Sequence, residues 1–193
     1  MSIQGLIFDF DGTLADTMPL HWKAWHPVME KYNFTLTEQR FYALGGVPAR
    51  DIIRMLADEQ GVEVDHLAAA KDKGQFYIDI LHEAEIIDIV FDIVREHHGK
   101  LPMAIATGGS RYVVTQVLDS LDIARYFDAL VTNEDIVNQK PAPDIFLEAA
   151  RRIGVAPEHC RAYEDTNLGM QAIRAAGMEA IDVRPMRGVS DPV

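Results

Sequence analysis

Two aspartates, Asp9 and Asp11, stand at the end of an apolar run that begins at Gly5, and Gly12 and Thr13 follow them. Because side chains two residues apart on a strand leave the same face, both carboxylates point to one place. Carboxylates this close repel each other and raise one another's pKa unless a cation lies between them. A hard divalent ion with oxygen ligands meets that need, and magnesium is the abundant one. The segment therefore predicts a carboxylate pair that binds Mg²⁺.

Three later segments also end in polar groups, of which the first two suit the binding of phosphate and the third suits the binding of a metal ion. Thr107 and Gly108 offer a hydroxyl and an exposed N–H group beside a predicted helix N-terminus, which favours anions. Lys140 lies on a proline-stiffened loop, and Glu164 and Asp165 form a second pair of carboxylates. Because the formal charge of the chain is −12, a phosphate site in it must create its own positive field. A metal ion, a lysine and backbone N–H groups would supply that field.

Five short apolar runs are typical of buried strands, and helical patterns lie between the later ones. The predicted strands are Gly5–Phe10, Pro102–Thr107, Ala129–Thr132, Arg161–Glu164 and Glu179–Val183. Ser110, Asp144 and Thr166 are predicted to cap three helices, of which the last two stop at Gly154 and Gly177. Strands that alternate with helices imply an α/β fold whose core is a Rossmann-like parallel sheet. The polar groups named above would then meet at the carboxyl ends of its strands.

The stretch from Thr17 to Glu85 differs, because it shows helical periodicity and no convincing strand. It predicts a small all-helical cap, residues 17–85, inserted after the first strand of an α/β core that comprises residues 1–16 and 86–193. The aromatic residues and methionines on its helices, Trp25 and Met29 among them, are expected to form its own core. A small cap that closes over the site favours compact metabolites over polymers.

Composition limits the classes of partner and the cellular compartment. The chain has 193 residues, and its eighteen basic and thirty acidic residues give a surface that repels nucleic acid and anionic membranes. The single cysteine, Cys160, excludes an internal disulfide and is expected to be a small buried hydrophobe. No apolar run approaches the roughly twenty residues that span a bilayer, and the N-terminus lacks the pattern of a signal peptide. We therefore expect a cytoplasmic monomer that acts on a small phosphorylated metabolite.

These motifs, in this order, resemble those of the haloacid dehalogenase-like superfamily of phosphohydrolases. Phe8–Leu14, which reads FDFDGTL, is similar to the first motif of that family, and Thr107 is similar to the second. Lys140, in the segment KPAP, resembles the third motif, and Glu164-Asp165 resembles the fourth. One Asp-x-Asp alone would be a weak signal, whereas four motifs in order along nearly the whole chain are specific. The helical insert also falls where the family carries its cap.

The resemblance implies a catalytic role for Asp9, Asp11, Thr107 and Lys140, and a substrate-binding role for Gly108. Asp9 would be the nucleophile that becomes an aspartyl phosphate, and Asp11 would be first the general acid and then the general base. Thr107 and Gly108 would bind the phosphoryl group. Lys140 would neutralise the nucleophile and the phosphoryl oxygens over which the transition-state charge spreads. Taken alone, Thr107 could instead cap a helix and Lys140 could be a solvated loop residue.

The resemblance also implies a metal site. Mg²⁺ would be held by Asp9, by the backbone carbonyl of Asp11 and by Asp165, while Glu164 would help directly or through water. Read without the resemblance, Glu164 and Asp165 could simply place negative charge at the N-terminus of the next helix. The joint occurrence of the four motifs favours the metal site.

Residues in the predicted cap indicate the branch of the family. Asp16-Thr17, followed by His21 and Trp25, is similar to the segment after the first motif in the β-phosphoglucomutase-like branch, where the histidine helps to couple cap closure to proton transfer. Gly45 stands where the mutases carry a lysine, and a mutase must hold a bisphosphate by both ends. Arg50 could reach a distal group of the substrate. His21 could equally be a buried hinge histidine, and Arg50 a surface arginine.

Three reactions are compatible with the motifs. The first is the hydrolysis of a small phosphomonoester, most simply a hexose phosphate, and the loss of the lysine at Gly45 favours it. The second is a β-phosphoglucomutase-type isomerisation, which needs the same core and is disfavoured by Gly45. The third is dehalogenation, which needs Asp9 but neither the metal nor Asp11. The sequence therefore predicts a Mg²⁺-dependent sugar-phosphate phosphatase.

Overall fold

The computed structural model describes residues 2–188, which form two compact units. The first unit contains the chain up to Asp16 and resumes at Glu85, and the second contains Thr17–Ala84. Glu85, which we placed at the end of the cap, thus lies in the first unit, where its carbonyl accepts a 2.8 Å hydrogen bond from the Asp16 N–H. Residues 189–193 of the predicted core lie outside the described residues.

Five strands of the first unit form a single parallel sheet in the order β3-β2-β1-β4-β5. The strands are β1 (Gly5–Phe8), β2 (Met103–Ala106), β3 (Ala129–Val131), β4 (Cys160–Glu164) and β5 (Glu179–Asp182). β1 and β2 are buried along their whole length, which is why each is a continuous apolar run in the sequence. The predicted α/β fold with a parallel sheet is confirmed. β1 ends before the predicted Phe10, because the carbonyl of Phe10 already accepts the bonds of the next turn.

The strand order determines where a ligand can bind. β2 and β3 lie on one side of β1, whereas β4 and β5 lie on the other. β1 and β4 therefore flank the point at which the direction of winding reverses, and open parallel sheets form a crevice at such a point beyond their carboxyl ends. Asp9 directly follows β1, and Glu164 is the last residue of β4. The topology thus brings the first and fourth motifs to this crevice.

The part of the chain that the structure describes contains eight α-helices. They are α1 (Met18–Tyr32), α2 (Glu38–Ala43), α3 (Ala49–Gln60), α4 (His66–Asp79), α5 (Asp88–His97), α6 (Arg111–Ser120), α7 (Asp144–Ile153) and α8 (Asn167–Ala175). Short 3-10 helices span Leu81–Glu83, Ala124–Tyr126, Asn133–Asp135, Pro157–His159 and Pro185–Arg187. The first four α-helices belong to the second unit, and the other four connect the strands of the sheet.

The helix caps agree only in part with the predictions. The Thr166 hydroxyl accepts the Gly169 N–H at the start of α8, as predicted. The prediction for Asp144 is wrong, because the helix begins one residue earlier, at a cap formed by Pro143, and Asp144 lies in the first turn. Ser110 occupies the cap position of α6, but its side chain makes no capping bond there. The Glu134 carboxylate accepts the Arg111 N–H instead, at 3.0 and 3.2 Å.

The sheet and two of its helices enclose the core of the first unit. β1, β2 and β4 contribute Ile7, Ala104 and Ala162, which are fully buried against apolar residues of α7 and α8. Cys160 is fully buried in the same cluster, and burial, assisted by Glu158, raises the pKa of its thiol to about 11. The cysteine is therefore an inert apolar side chain, as the sequence predicted.

The second unit has its own hydrophobic core. Trp25, Val28 and Leu56 are buried in one cluster that α1 and α3 share with α4, and Met29 packs against it. The aromatic and methionine positions of these helices are thus mostly structural, as expected. None of the helices among residues 2–188 combines the length and apolar character that a bilayer crossing demands.

Candidate active site

The loop after β1 is a compact turn that carries Asp11. The carbonyl of Phe10 accepts hydrogen bonds from Thr13, Leu14 and Ala15, at 3.0 to 3.3 Å. Gly12 has a φ of +82°, and a Cβ atom at this position would lie 2.2 Å from the nearer carboxylate oxygen of Asp165. Any side chain at residue 12 would therefore be strained and would collide with the fourth motif. The glycine of the first motif is therefore a steric requirement of the site.

Lys140 joins the first and fourth motifs. Its Nζ donates a 2.6 Å hydrogen bond to Asp9 Oδ1 and another of 2.6 Å to Glu164 Oε2, and all three side chains are buried. Burial by itself would lower the pKa of Lys140, but the charges of Asp9 and Glu164 outweigh it and raise that pKa above its usual value. Lys140 is therefore a permanent cation, and it bonds Asp9 through Oδ1 and not through Oδ2.

Glu164 is held on both of its carboxylate oxygens. Its Oε1 accepts hydrogen bonds from the Thr166 N–H at 2.9 Å, from the Thr166 hydroxyl at 2.8 Å and from the Asp165 N–H at 3.2 Å. These bonds turn Oε2 toward Lys140. The carboxylate lies directly against Gly169 in the first turn of α8, where an added Cβ atom would be 2.0 Å from it. The geometry of Glu164 thus depends on a glycine that the sequence analysis did not single out.

Gly169→Ala is expected to destabilise the protein by about 1–3 kcal/mol or more, because the new methyl group displaces a fully buried carboxylate. Because the displaced Glu164 would no longer align Lys140, the rate of phosphate release should fall as well. Urea unfolding and phosphate release measure the two effects. Gly74→Ala in α4 is the matched control, since its Cβ atom would meet nothing within 4 Å, and it should stabilise the helix by about 0.5–1 kcal/mol. Equal stability of the two variants would contradict the close packing at Gly169.

Asp9, Glu164 and Asp165 form a group of carboxylates suited to a hard cation. One oxygen from each lies within 4.8 Å of the others. Burial, and after it the charge of Glu164, raises the pKa of Asp9 well above its ordinary value. The same two causes raise the pKa of Asp165 to about 7. Lys140 bonds two of these three carboxylates, and with all three ionised the group and the ammonium have a formal charge of about −2; an all-oxygen donor set of that charge fits Mg²⁺.

This arrangement predicts a stability that depends on pH and on the metal. Because the folded pKa of Asp165 is raised, the native state holds a proton that the unfolded state has lost between about pH 4 and pH 7. In EDTA the free energy of unfolding should therefore fall by about 2–4 kcal/mol as the pH rises through this window. Mg²⁺ should restore more stability at pH 8 than at pH 5.5, because the ligands must be deprotonated.

Thermal unfolding at the two pH values, with Mg²⁺ and with EDTA, measures this dependence. Asp165→Asn is the matched control, since it removes the titrating carboxyl group and keeps its size. In this variant both the fall in stability and the larger effect of Mg²⁺ at high pH should shrink. A stabilisation by Mg²⁺ that is equal at both pH values would contradict the assigned cluster.

The second motif lies beside Asp11. The Thr107 N–H donates to the Val131 carbonyl at 3.0 Å, and the Thr107 hydroxyl accepts the Gly109 N–H at 3.0 Å. A Cβ atom built on Gly109 would lie 3.3 Å from Thr107 Oγ1 and 3.6 Å from Asp11 Oδ2, so the three groups are neighbours. Gly108 faces open space, because an added Cβ atom would meet nothing within 4 Å. This loop therefore presents a buried hydroxyl and an exposed glycine next to Asp11.

His21 belongs to the second unit, where it has a partner that the sequence analysis missed. Lys73 on α4 is buried, and its Nζ lies 2.5 Å from Nδ1 of His21 on α1. The His21 ring stacks on Tyr77 with a centroid distance of 3.9 Å, and Lys73 Nζ lies 5.0 Å from the centre of the same ring. His21, Lys73 and Tyr77 thus form one packed cluster. No motif in the sequence marked Lys73, because only the pairing of α1 with α4 brings it to His21.

Arg50 also lies in the second unit, at the start of α3. Its side chain is 63% exposed, and its Nε is 3.7 Å from Asp51 Oδ2. It therefore stands at the surface of that unit with a long, solvated ion pair, which leaves its side chain able to reorient.

The structure divides the predicted site residues into three sets. It brings Asp9, Lys140, Glu164 and Asp165 together through direct bonds or close oxygens. It places Asp11, Thr107 and Gly108 on adjoining loops, and it places His21 and Arg50 in the second unit. Besides Gly169, three residues without a predicted role in the site touch these groups. They are Thr13, whose hydroxyl donates to Asp165 Oδ1 at 3.2 Å, Lys73 beside His21, and Arg187, which bonds the Gly12 carbonyl.

Comparison with known proteins shows similarity along nearly the whole chain. Residues 6–183 match the model of a family described as haloacid dehalogenase-like hydrolases. Fructose-1-phosphate phosphatase YqaB of Escherichia coli (strain K12) is 40% identical over 181 residues, which are 93% of this chain and 96% of that protein. The phosphorylated carbohydrates phosphatase of Thermotoga maritima is 31% identical over 183 residues, or 93% of this chain and 84% of that protein.

A solved structure shows the same fold. The crystal structure of β-phosphoglucomutase from Clostridium difficile superposes with a TM-score of 0.82 at 22% identity, over 97% of this chain and 88% of that one. At that identity the similarity concerns the fold and carries no information about the reaction.

Proposed function

We propose that this chain, which belongs to the haloacid dehalogenase-like hydrolase family and is a phosphomonoesterase, hydrolyses a small sugar phosphate through an aspartyl phosphate on Asp9. The observation that carries the proposal is the buried bridge from Lys140 to Asp9 and Glu164. It places a cation against the carboxylate that directly follows the central strand of the sheet. A surface carboxylate would need no such support, whereas a nucleophile that attacks a phosphate anion does.

In the proposed first step, Asp9 Oδ2 attacks phosphorus in line with the ester oxygen. The new oxygen–phosphorus bond forms as the bond to the leaving group breaks, and Asp11 gives its proton to the departing alkoxide. Lys140 stabilises the charge on the equatorial phosphoryl oxygens, and the Thr107 hydroxyl donates a hydrogen bond to one of them. The products of this step are the free sugar and phosphorylated Asp9.

In the proposed second step, Asp11 is the base for a water molecule that attacks the same phosphorus. The bond between phosphorus and Asp9 breaks, inorganic phosphate leaves, and Asp11 regains its proton. Asp11 thus acts in both steps. Its position beside Gly109 and Thr107 suits this role, because the loop of the second motif would hold the phosphoryl group next to it.

We propose that Asp9, Asp165 and Glu164 hold Mg²⁺, together with the backbone carbonyl of Asp11. The carboxylates fit the ion by their oxygen donors, their spacing and their excess negative charge. When bound, Mg²⁺ would offset the charge of the phosphoryl group against that of Asp9. The site would then contain two positive centres, the metal and Lys140, within a protein whose formal charge is −12.

The proposed substrate class rests on the relatives and on Gly45. Two relatives that match almost the whole chain are phosphatases of fructose 1-phosphate and of phosphorylated carbohydrates. Gly45 offers no side chain to hold the second phosphate of a sugar bisphosphate. We therefore propose a hexose phosphate as substrate, with the second unit as the cap and with His21 and Arg50 as its substrate-binding residues.

The deciding experiment is phosphate release from a panel of small phosphomonoesters, with Mg²⁺ and with EDTA. The panel spans hexose 1- and 6-phosphates, including fructose 1-phosphate, together with glycerol phosphate, phosphoglycolate and nucleotides. We expect metal-dependent release that is highest for a hexose phosphate. Release that favours nucleotides would contradict the substrate class. Conversion of glucose 1-phosphate to the 6-phosphate without phosphate release would favour the isomerase instead.

A further inference from the structure

An arginine near the end of the described chain reaches into the loop that carries Asp11. Arg187 belongs to the 3-10 helix Pro185–Arg187 and donates from Nη1 to the Gly12 carbonyl at 2.6 Å. Its Nη2 donates to Asp16 Oδ1 at 2.8 Å. The guanidinium thus bonds Gly12 and Asp16, two residues of one short segment that are four positions apart. A lysine could not make both contacts in this way, because its ammonium is a point charge and not a planar fork.

The two contacts lie on either side of the turn that the first motif forms. On one side, the Gly12 peptide is the link between Asp11 and Thr13, and its N–H donates to the Ala15 carbonyl at 2.9 Å. On the other side, Asp16 is the last residue before the second unit begins. The Gly12 carbonyl belongs to the peptide plane between Gly12 and Thr13, one residue beyond Asp11, so the bond from Arg187 restrains the turn that carries the Asp11 carboxylate.

Arg187 is itself anchored to the strand end that supplies the fourth motif. Its N–H donates to the carbonyls of Val183 and Arg184, at 3.2 and 3.1 Å. Val183 is fully buried, and its N–H donates to the Glu164 carbonyl at 3.0 Å. A chain of hydrogen bonds therefore runs from Glu164 through Val183 and Arg187 to Gly12. It connects the proposed metal site to the proposed acid–base loop from outside the four motifs.

An ordinary surface ion pair would not account for this arrangement. The Arg187 side chain is only 19% exposed, and its shorter bond goes to a backbone carbonyl and not to the carboxylate. Exposed ion pairs contribute little because both side chains are solvated and mobile. Here one partner is the backbone of a turn that is closed by its own hydrogen bonds, so the arginine adds a fixed support to it.

We infer that Arg187 is a positioning residue for proton transfer, which holds the Asp11 turn in register with the site through its bonds to the Gly12 carbonyl and Asp16. This inference rests on the proposed function, because it assigns Arg187 to the alignment of the general acid. It predicts that the loss of Arg187 impairs proton transfer without impairing the binding of phosphate. The transfer of the proton to the leaving group should suffer, while the binding of phosphate through Lys140 and Thr107 should persist.

The test compares two substrates that differ in their need for an acid. The leaving group of a hexose phosphate is a basic sugar alkoxide that needs the proton of Asp11, whereas that of p-nitrophenyl phosphate is the stabilised p-nitrophenolate, which needs it little. We expect Arg187→Met to lower kcat/KM for the hexose phosphate by about 10- to 100-fold and for p-nitrophenyl phosphate by less than about threefold. The ratio kcat/KM is the right quantity, because it reports the steps up to the first departure of the leaving group.

Three further variants complete the design. Asp11→Asn should show the same substrate dependence in a stronger form, and Arg187→Lys should recover the hexose phosphate reaction only in part. Arg151→Met is the matched control, since Arg151 pairs with Glu148 on the exposed face of α7. It should leave both ratios unchanged. Added guanidinium should partly restore Arg187→Met and should have no such effect on the control.

The outcomes separate this inference from the proposed function. If the wild-type protein releases no phosphate from either compound, the proposed function fails. If the wild type is active and Arg187→Met loses the same factor with both substrates, or loses nothing, the positioning role is wrong while the function stands. Should Arg187→Met fail to fold by circular dichroism, the same comparison is made with Arg187→Lys, which keeps the charge and one contact.

Discussion

Asp9→Asn is expected to lower phosphate release by at least about three orders of magnitude while the protein keeps its fold. An amide cannot attack phosphorus, so no phosphoryl-enzyme forms. The asparagine keeps an oxygen that can accept the hydrogen bond of Lys140, which explains why the fold should survive. In EDTA the variant should be as stable as the wild type or more so, since one of three mutually repelling carboxylates is gone.

Phosphate release and urea unfolding in EDTA test both halves of this expectation. Asp92→Asn on α5 is the matched control, because Asp92 is 69% exposed and pairs with Arg95 on the same helix. It should change neither activity nor stability. Wild-type turnover by Asp9→Asn would remove Asp9 from the role of nucleophile. A loss of stability instead of a gain would show that Asp9 serves the fold and that its carboxylate is not under strain.

Lys140→Met is expected to cost both activity and stability. Removing one partner of a buried ion pair leaves uncompensated charge in the interior, and such losses are about 3–5 kcal/mol. Here Asp9 and Glu164 would both lose their bonded cation, so the variant should unfold in much less urea than the wild type at pH 7.5. Phosphate release should fall by about 100-fold or more, since no side chain then neutralises the equatorial oxygens.

The pH dependence of this variant carries a definite sign. Without Lys140 the ammonium charge no longer lowers the pKa of Asp9, so this carboxyl group takes up its proton at a higher pH. The difference in stability from the wild type should therefore be largest above pH 7 and shrink toward pH 5. Lys23→Met is the matched control, because Lys23 pairs with Glu83 where both side chains are about half exposed, and its stability should not change. A Lys140→Met variant as stable as the wild type would contradict the buried bridge.

These expectations share one physical origin. The site buries Asp9 and Glu164 beside the half-buried Asp165, where unpaired negative charge is costly, and Lys140 balances that charge only in part. The protein thus maintains a region that a cation or a proton must stabilise. A site that is short of positive charge is suited to binding Mg²⁺.

Several features followed from the sequence because they depend on local order. The alternation of buried strands with amphipathic helices predicted the parallel sheet, and the apolar run before Asp9 placed that residue directly after the first strand. The cap at Thr166 and the helix end at Gly154 also follow from residues adjacent to the features they form. Such signals need no knowledge of the rest of the chain, since backbone preferences and side-chain period act over a few residues.

Other features depended on partners far away in the sequence. Lys140 is 131 residues from Asp9, and only the strand order brings its loop to the end of β1. Ser110 was the local candidate for the cap of α6, but Glu134, on the loop after β3, supplies the carboxylate. Arg187 carries no motif, because its target is a backbone carbonyl and any residue can supply that acceptor.

What the sequence determined by itself was therefore the kind of chemistry, through the types of residue at the ends of its strands. The tertiary structure decided which of those residues share a bond and which side chains outside the motifs support them. The physical reason is that local patterns encode which face of an element is buried, whereas the register between distant elements is set by packing the whole unit. Gly169 and Arg187 matter for the site only because that packing brings them to Glu164 and Gly12.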